Sequence, residues 1–188
     1  LPPLPKVERD PSLPTVYFTL GTVFNTESGD LFRRVLVGLR DVKANVIVTV
    51  GSQIAPDEFG SQPEHIHITQ YIPQLTLLPH CDLVVSHGGS GTVIATLAHG
   101  LPMVLIPMGA DQIHNATRCQ ALGVAHALDA LTTSPEMICD AVTAVMDAPS
   151  YRASARRLKA EIETLPEPTH AVPLLEQLHA TKQAVVRN

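Results

Sequence analysis

The chain has few cysteines, no run of basic residues and no long apolar segment, and each shortage removes a class of protein. The cysteines are 3, Cys81, Cys119 and Cys139, with no Cys-x-x-Cys pair among them. An odd number without pairing argues for reduced thiols, mostly in the core, of a cytoplasmic protein, and against a disulfide framework. Lys+Arg number 13 against 18 Asp+Glu, a formal charge of -5. That balance speaks against a nucleic-acid surface or an anionic membrane, so any anion must be held locally. No apolar stretch approaches the roughly 20 residues that span a bilayer, and the start shows no signal-peptide pattern.

What is present suits one folded domain: 188 residues, 45% hydrophobic, mean hydropathy +0.14. Residues 1–14 hold 5 of the 16 prolines and read as an extended interdomain linker, leaving 15–188 as the domain. The first residue is Leu1 and not methionine, as expected of a piece of a longer protein. Thr15 to Leu20 is β-branched, aromatic and apolar throughout, the pattern of a strand covered on both faces, and it runs into Gly21-Thr22. Leu31, Val35, Leu36 and Leu39 recur at helical spacing, and Val46 to Val50 reads as the next strand. His65 and His67 share one face of a strand. Two ligands without a third make a poor metal site, and a half-exposed edge strand is the simpler account.

The alternation continues with a turn at Tyr71-Ile72-Pro73-Gln74, a strand ending at Ser86, a helix from about Thr92 to Ala98 and a strand at Met103 to Ile106. A helix to about Ala121 and a strand at Val124 to Ala127 follow. Ser134-Pro135-Glu136 opens a helix to about Asp147 with the stripe Ile138, Val142 and Val145. Two helices close the chain, at about 151–164 and 170–183. Strands alternating with helices imply a mostly parallel sheet with helices on both faces, whose ligands bind at the carboxyl ends of strands.

The stretch Val85-Ser86-His87-Gly88-Gly89-Ser90-Gly91-Thr92 sits between a strand and a helix and reads as an anion cradle. Glycine admits close approach and positive φ, while the first helical turn offers unpaired N–H groups and the positive end of the dipole. A tight turn with a satisfied histidine is the plain alternative.

Together, Phe18-Thr19-Leu20-Gly21-Thr22, Tyr71-Ile72-Pro73-Gln74, Ser86 to Thr92, Gly100-Leu101-Pro102, Pro107, Asp111-Gln112 and Asn115 resemble the nucleotide-sugar-binding half of a GT-B glycosyltransferase. The likeness is to the natural-product and UDP-glycosyltransferase family, over roughly Thr15 to Ala125. It implies an α/β, Rossmann-like three-layer domain with a mostly parallel sheet, the C-terminal half of a GT-B fold. By that resemblance Thr22, His87, Gly89, Ser90, Gly91 and Thr92 hold the diphosphate, Tyr71 stacks on the base, and the Ile72 backbone reads its edge. Asp111 and Gln112 meet the sugar hydroxyls, with Gln74 and Asn115 as weaker candidates. Tyr71 could instead be a half-buried turn tyrosine, and Asp111 a plain N-cap for the following helix.

Plant-type members carry a ribose-binding glutamate where this chain has Ala95, which leans toward a TDP-sugar over a UDP-sugar, as in antibiotic biosynthesis. The chain has no Asp-x-Asp, and the resemblance implies a metal-independent enzyme without cofactor. It further implies an inverting transferase whose acceptor, a small-molecule hydroxyl, and general base belong to an N-terminal domain outside this chain, toward which the last helices cross back. No catalytic residue is expected here. A nucleotide-sugar-binding subunit of a two-polypeptide transferase and a GT-B-like UDP-sugar epimerase remain as alternatives.

Overall fold

The computed structural model describes residues 9–21 and 28–184. Six strands, β1 (Thr15–Thr19), β2 (Asn45–Thr49), β3 (Ile66–Thr69), β4 (Leu83–Ser86), β5 (Met103–Leu105) and β6 (Ala125–Ala127), form one sheet in the order β3-β2-β1-β4-β5-β6. Every pairing is parallel. The helices are α1 (Leu31–Leu39), α2 (Gln74–Leu77), α3 (Ser90–Ala98), α4 (Gln112–Ala121), α5 (Pro135–Asp147), α6 (Pro149–Glu163) and α7 (Ala171–Thr181).

Strand alternation sorts side chains into two cores, one on each face of the sheet. Phe18 and Val48 point to the side of α1 and α5, where Phe32, Leu36, Ile138 and Val142 meet them. Tyr17, Ile47 and Val84 point to the other side, against Leu77, Val93, Ala116 and Ala155 from α2, α3, α4 and α6. The rings of Phe18 and Phe32 lie 4.6 Å apart, and each such buried side chain contributes about 1.5–3 kcal/mol. The α5 stripe is as the sequence suggests: Ile138, Val142 and Val145 are buried, Pro135 opens the helix, and the Ser134 hydroxyl accepts the Met137 N–H at 3.3 Å. His67 lies on β3, which is an edge strand.

Boundaries differ from the sequence reading at two helices. α3 begins at Ser90, so Ser90 and Gly91 belong to its first turn and only Gly89 is extended. α6 starts at Pro149, since proline's missing N–H costs nothing at a helix start. The described part of the proline-rich segment is fastened to the sheet: Asn45 donates to the carbonyls of Asp10 (2.8 Å) and Leu13 (3.1 Å) and accepts the Asp10 N–H (2.8 Å). α7 buries none of its residues, and Val172, Leu175 and Leu178 are exposed.

The strand order reverses between β1 and β4. In an open parallel sheet the connections leave these two strands toward opposite faces, which opens a crevice beyond their carboxyl ends.

Candidate functional site

That crevice is a cleft of about 470 Å³, and it gathers residues from nearly every sequence segment singled out: Gly21, Tyr71, Ile72, Gln74, His87, Gly89, Ser90, Gly91, Thr92, Asp111 and Gln112. Its floor is the end of α3. Gly89 has extended backbone (φ -63, ψ 140) and caps the helix without a side chain, and the first intrahelical bond runs from Val93 N–H to the Gly89 carbonyl. Helix geometry therefore leaves the Ser90, Gly91 and Thr92 amides without intrahelical acceptors, at the positive end of the dipole.

His87 is wedged against this turn. A Cβ on Gly89 would stand 2.5 Å from its Nε2, and one on Gly21 would stand 2.7 Å from its Cε1, so only glycine at both positions lets the imidazole lie there. The ring is buried, and desolvation pushes its pKa down, with the Asp111 carboxylate pulling the other way. His87 Nδ1 is enclosed and has no hydrogen-bond partner. A proton on Nδ1 would be a buried donor without an acceptor, which favours the tautomer with its proton on Nε2, the nitrogen beside Gly89.

Hydroxyl directions are fixed by their neighbours. Gln74 Nε2 donates to Thr92 Oγ1 at 3.2 Å, leaving the Thr92 O–H to donate elsewhere. The Ser90 hydroxyl donates to Asp111 Oδ2 at 2.6 Å, so its amide, not its hydroxyl, is free for an anion. Asn115 donates to the Gly88 carbonyl (3.0 Å), Ser90 Oγ (3.1 Å) and Asp111 Oδ2 (3.0 Å), tying α4 to the glycine turn. Asp111 stands at the N-cap position but makes no capping bond with its side chain. The bonds from Ser90 and then Asn115 hold its carboxyl below the usual carboxylate range. Gln112 is 2% exposed, and its Oε1 accepts the Met108 and Gly109 N–H groups at 2.8 and 3.2 Å. With its oxygen committed to the loop, only the Gln112 NH₂ can serve a ligand.

At the other end of the cleft Tyr71 is 68% exposed, not half-buried, beside the enclosed Ile72. Its ring face is available to stack. Thr22 lies outside the described residues. Tyr17 and Thr49 also line the cleft and were not singled out from the sequence. The Tyr17 hydroxyl bonds Thr49 Oγ1 at 2.8 Å, and desolvation pushes its pKa up. The signal was a polar tip on an otherwise apolar strand, which only the strand order places beside β2. Among the described residues, no three His, Cys, Asp or Glu side chains gather as metal ligands would, and no helix is long and apolar enough to cross a membrane.

The profile of the "Erythromycin biosynthesis protein CIII-like, C-terminal domain" family matches residues 33–178. The chain belongs to this family. It is 34% identical over 171 residues to 4'-demethylrebeccamycin synthase of Lentzea aerocolonigenes, covering 91% of this chain and 40% of that protein. To aklavinone 7-beta-L-rhodosaminyltransferase of Streptomyces galilaeus it is 32% identical over 176 residues, covering 93% and 40%. Among solved structures, spinosyn forosaminyltransferase SpnP superposes with a TM-score of 0.83 at 27% identity, over 95% of this chain and 48% of that one. Glycosyltransferase VinC in complex with dTDP gives 0.81 at 27% identity, over 94% and 45%. The chain thus spans less than half the length of these relatives and has the three-layer architecture of a GT-B C-terminal half.

Proposed function

We propose that residues 15–188 form the donor-binding half of an inverting glycosyltransferase, which moves a sugar from a nucleoside diphosphate to a hydroxyl of a small-molecule natural product. The observation that carries this reading is the convergence, in one cleft at the β1/β4 crevice, of His87 Nε2 with the three free amides of α3. Those donors are held in place before any ligand arrives, so they require little reorganisation as charge builds on a departing diphosphate. Interactions that strengthen as the sugar–phosphate bond breaks lower the barrier, while equal binding of donor and transition state would not.

In this reading Tyr71 stacks on the base, Ile72 presents backbone to its edge, His87 with Gly89 to Thr92 holds the diphosphate, and Thr22 adds a contact to the distal phosphate. Asp111 and the Gln112 NH₂ meet sugar hydroxyls, and Gln74 and Asn115 position Thr92 and Ser90. Ala95 leaves the ribose edge without a carboxylate, which favours TDP over UDP, and VinC, a similar protein, carries dTDP. Asp111 is the only formally charged residue among the described residues of the cleft. An epimerase would need further carboxylates for proton transfer there, so transfer is the better reading. The acceptor and the general base would come from a partner domain, against which the exposed apolar row of α7 would pack.

The test pairs binding with turnover on one sample of the 188-residue chain. Ligand-observed NMR should show weak binding of TDP, UDP and their sugars, because half of the cleft faces water. Mass spectrometry should find no glycosylated product, with or without added Mg²⁺. Turnover by this chain alone would show that it holds its own acceptor site, and absence of nucleotide binding would overturn the anion cradle.

A further inference from the structure

The amide end of α3 already faces a negative charge of the protein's own. Ser90 is the first residue of that helix, and its hydroxyl is bonded to the Asp111 carboxylate at 2.6 Å. Asn115 locks the pair from behind, bonding Asp111 Oδ2 at 3.0 Å and Ser90 Oγ at 3.1 Å. Asp111 is thereby held against the first residue of α3, in the cleft that the α3 amides also line. No lysine or arginine stands among the described residues of the cleft to offset it. A diphosphate seated on the same amides would meet this carboxylate as a like charge.

The two ligands of a transferase differ at this point. A free nucleoside diphosphate carries one more negative charge, on its terminal phosphate, than its sugar ester does. The ester replaces that charge with a sugar whose hydroxyls are donors, and a carboxylate is an acceptor. We propose that Asp111 discriminates between the two, repelling the spent nucleoside diphosphate while accepting hydrogen bonds from the sugar of the intact donor. The residue so acts on specificity and on product release as well as on sugar recognition. This inference rests on the donor-binding reading above.

The experiment is calorimetric titration of the full chain with TDP, UDP and a matching nucleotide sugar of each, at low salt and at about 0.5 M salt. Asp111→Asn keeps an oxygen acceptor for Ser90 and changes an exposed side chain, so folding should be untouched, which a melting curve checks. It should bind the free diphosphates about threefold to tenfold tighter at low salt, with the gain shrinking at high salt, as expected of an exposed charge. The nucleotide sugars should bind no tighter, so the preference for donor over product falls. Ser90→Ala, which keeps the carboxylate, should not reproduce the gain. Unchanged or weaker diphosphate binding by Asp111→Asn would overturn the inference. So would a gain that persists undiminished at high salt, because it would then belong to a freed Ser90 hydroxyl. His87→Ala is the separate arm: weaker binding of every ligand supports the donor-binding reading, and no effect would overturn that reading itself.

Discussion

The two ends of the cleft are built differently. At the α3 end, where we place the phosphates, three polar side chains are set in advance: the imidazole of His87 is wedged between Gly21 and Gly89, Thr92 is held by Gln74, and Ser90 is held by Asp111 and Asn115. At the Tyr71 end, where we place the base, the ring is 68% exposed, and Tyr17 and Thr49, bonded to each other in the sheet, also line the cleft. A charged group strips water at high cost, so donors for it work best when fixed beforehand, whereas a stacked ring needs only an open face. The phosphate end should thus decide whether anything binds, and the base end should decide which nucleotide.

The largest expected effect comes from closing the phosphate end. Gly89→Ala places a methyl 2.5 Å from His87 Nε2 and must displace the ring, the turn, or both. Because it disturbs the imidazole and the amides together, it should weaken nucleoside diphosphate binding by more than His87→Ala, for which about 1.5–3 kcal/mol is the range for a bond to a charged group. Inorganic pyrophosphate should lose affinity in parallel. Equal loss in the two variants, read by calorimetry, would mean that the imidazole does not lean on Gly89 as described.

A smaller effect, of about 1–3 kcal/mol, is expected from Tyr71→Ala, and it should fall on nucleotides alone. Pyrophosphate has no base, so its affinity should be unchanged. Loss of pyrophosphate binding in this variant would erase the distinction between the two ends and make Tyr71 part of the anion site.

The same contrast governs what could be read in advance. The sheet was legible because buried parallel strands are continuous apolar runs, as in Val16 to Phe18 and Leu83 to Val85, and because the α5 stripe repeats at helical spacing. The strand-to-helix turn was legible because Gly88, Gly89 and Gly91 stand between an apolar run and a helical one, and a helix start leaves its first-turn amides without intrahelical acceptors. The direction of the Ser90 hydroxyl was not, since Ser90 and Asp111 are 21 positions apart and meet only when α3 and α4 start side by side. Nor was the commitment of the Gln112 oxygen to its own loop, which leaves only its NH₂ for a ligand. Tyr17 was hidden for a different reason: within a strand that reads as core, only the neighbouring strand's Thr49 turns its hydroxyl into part of a site.

The smallest effect, and the finest test of the base end, concerns a residue that lines neither half. Ala95 lies on α3 three positions beyond Thr92, and helical side chains lean toward the N-terminus, so a longer side chain at 95 extends toward Thr92 and Gln74. A glutamate there would present a carboxylate to a ribose. It gains most from a hydroxyl donor at the 2′ position, which UDP has and TDP lacks, while its charge opposes the diphosphate of both equally. Ala95→Glu should therefore weaken TDP slightly and raise the UDP-to-TDP affinity ratio by about threefold to tenfold, the worth of one partly exposed hydrogen bond to a charged group. The wild-type chain should bind TDP at least as well as UDP. A wild-type preference for UDP of about tenfold or more would overturn the lean toward TDP, because discrimination against the 2′-deoxy sugar would then exist without any carboxylate at position 95.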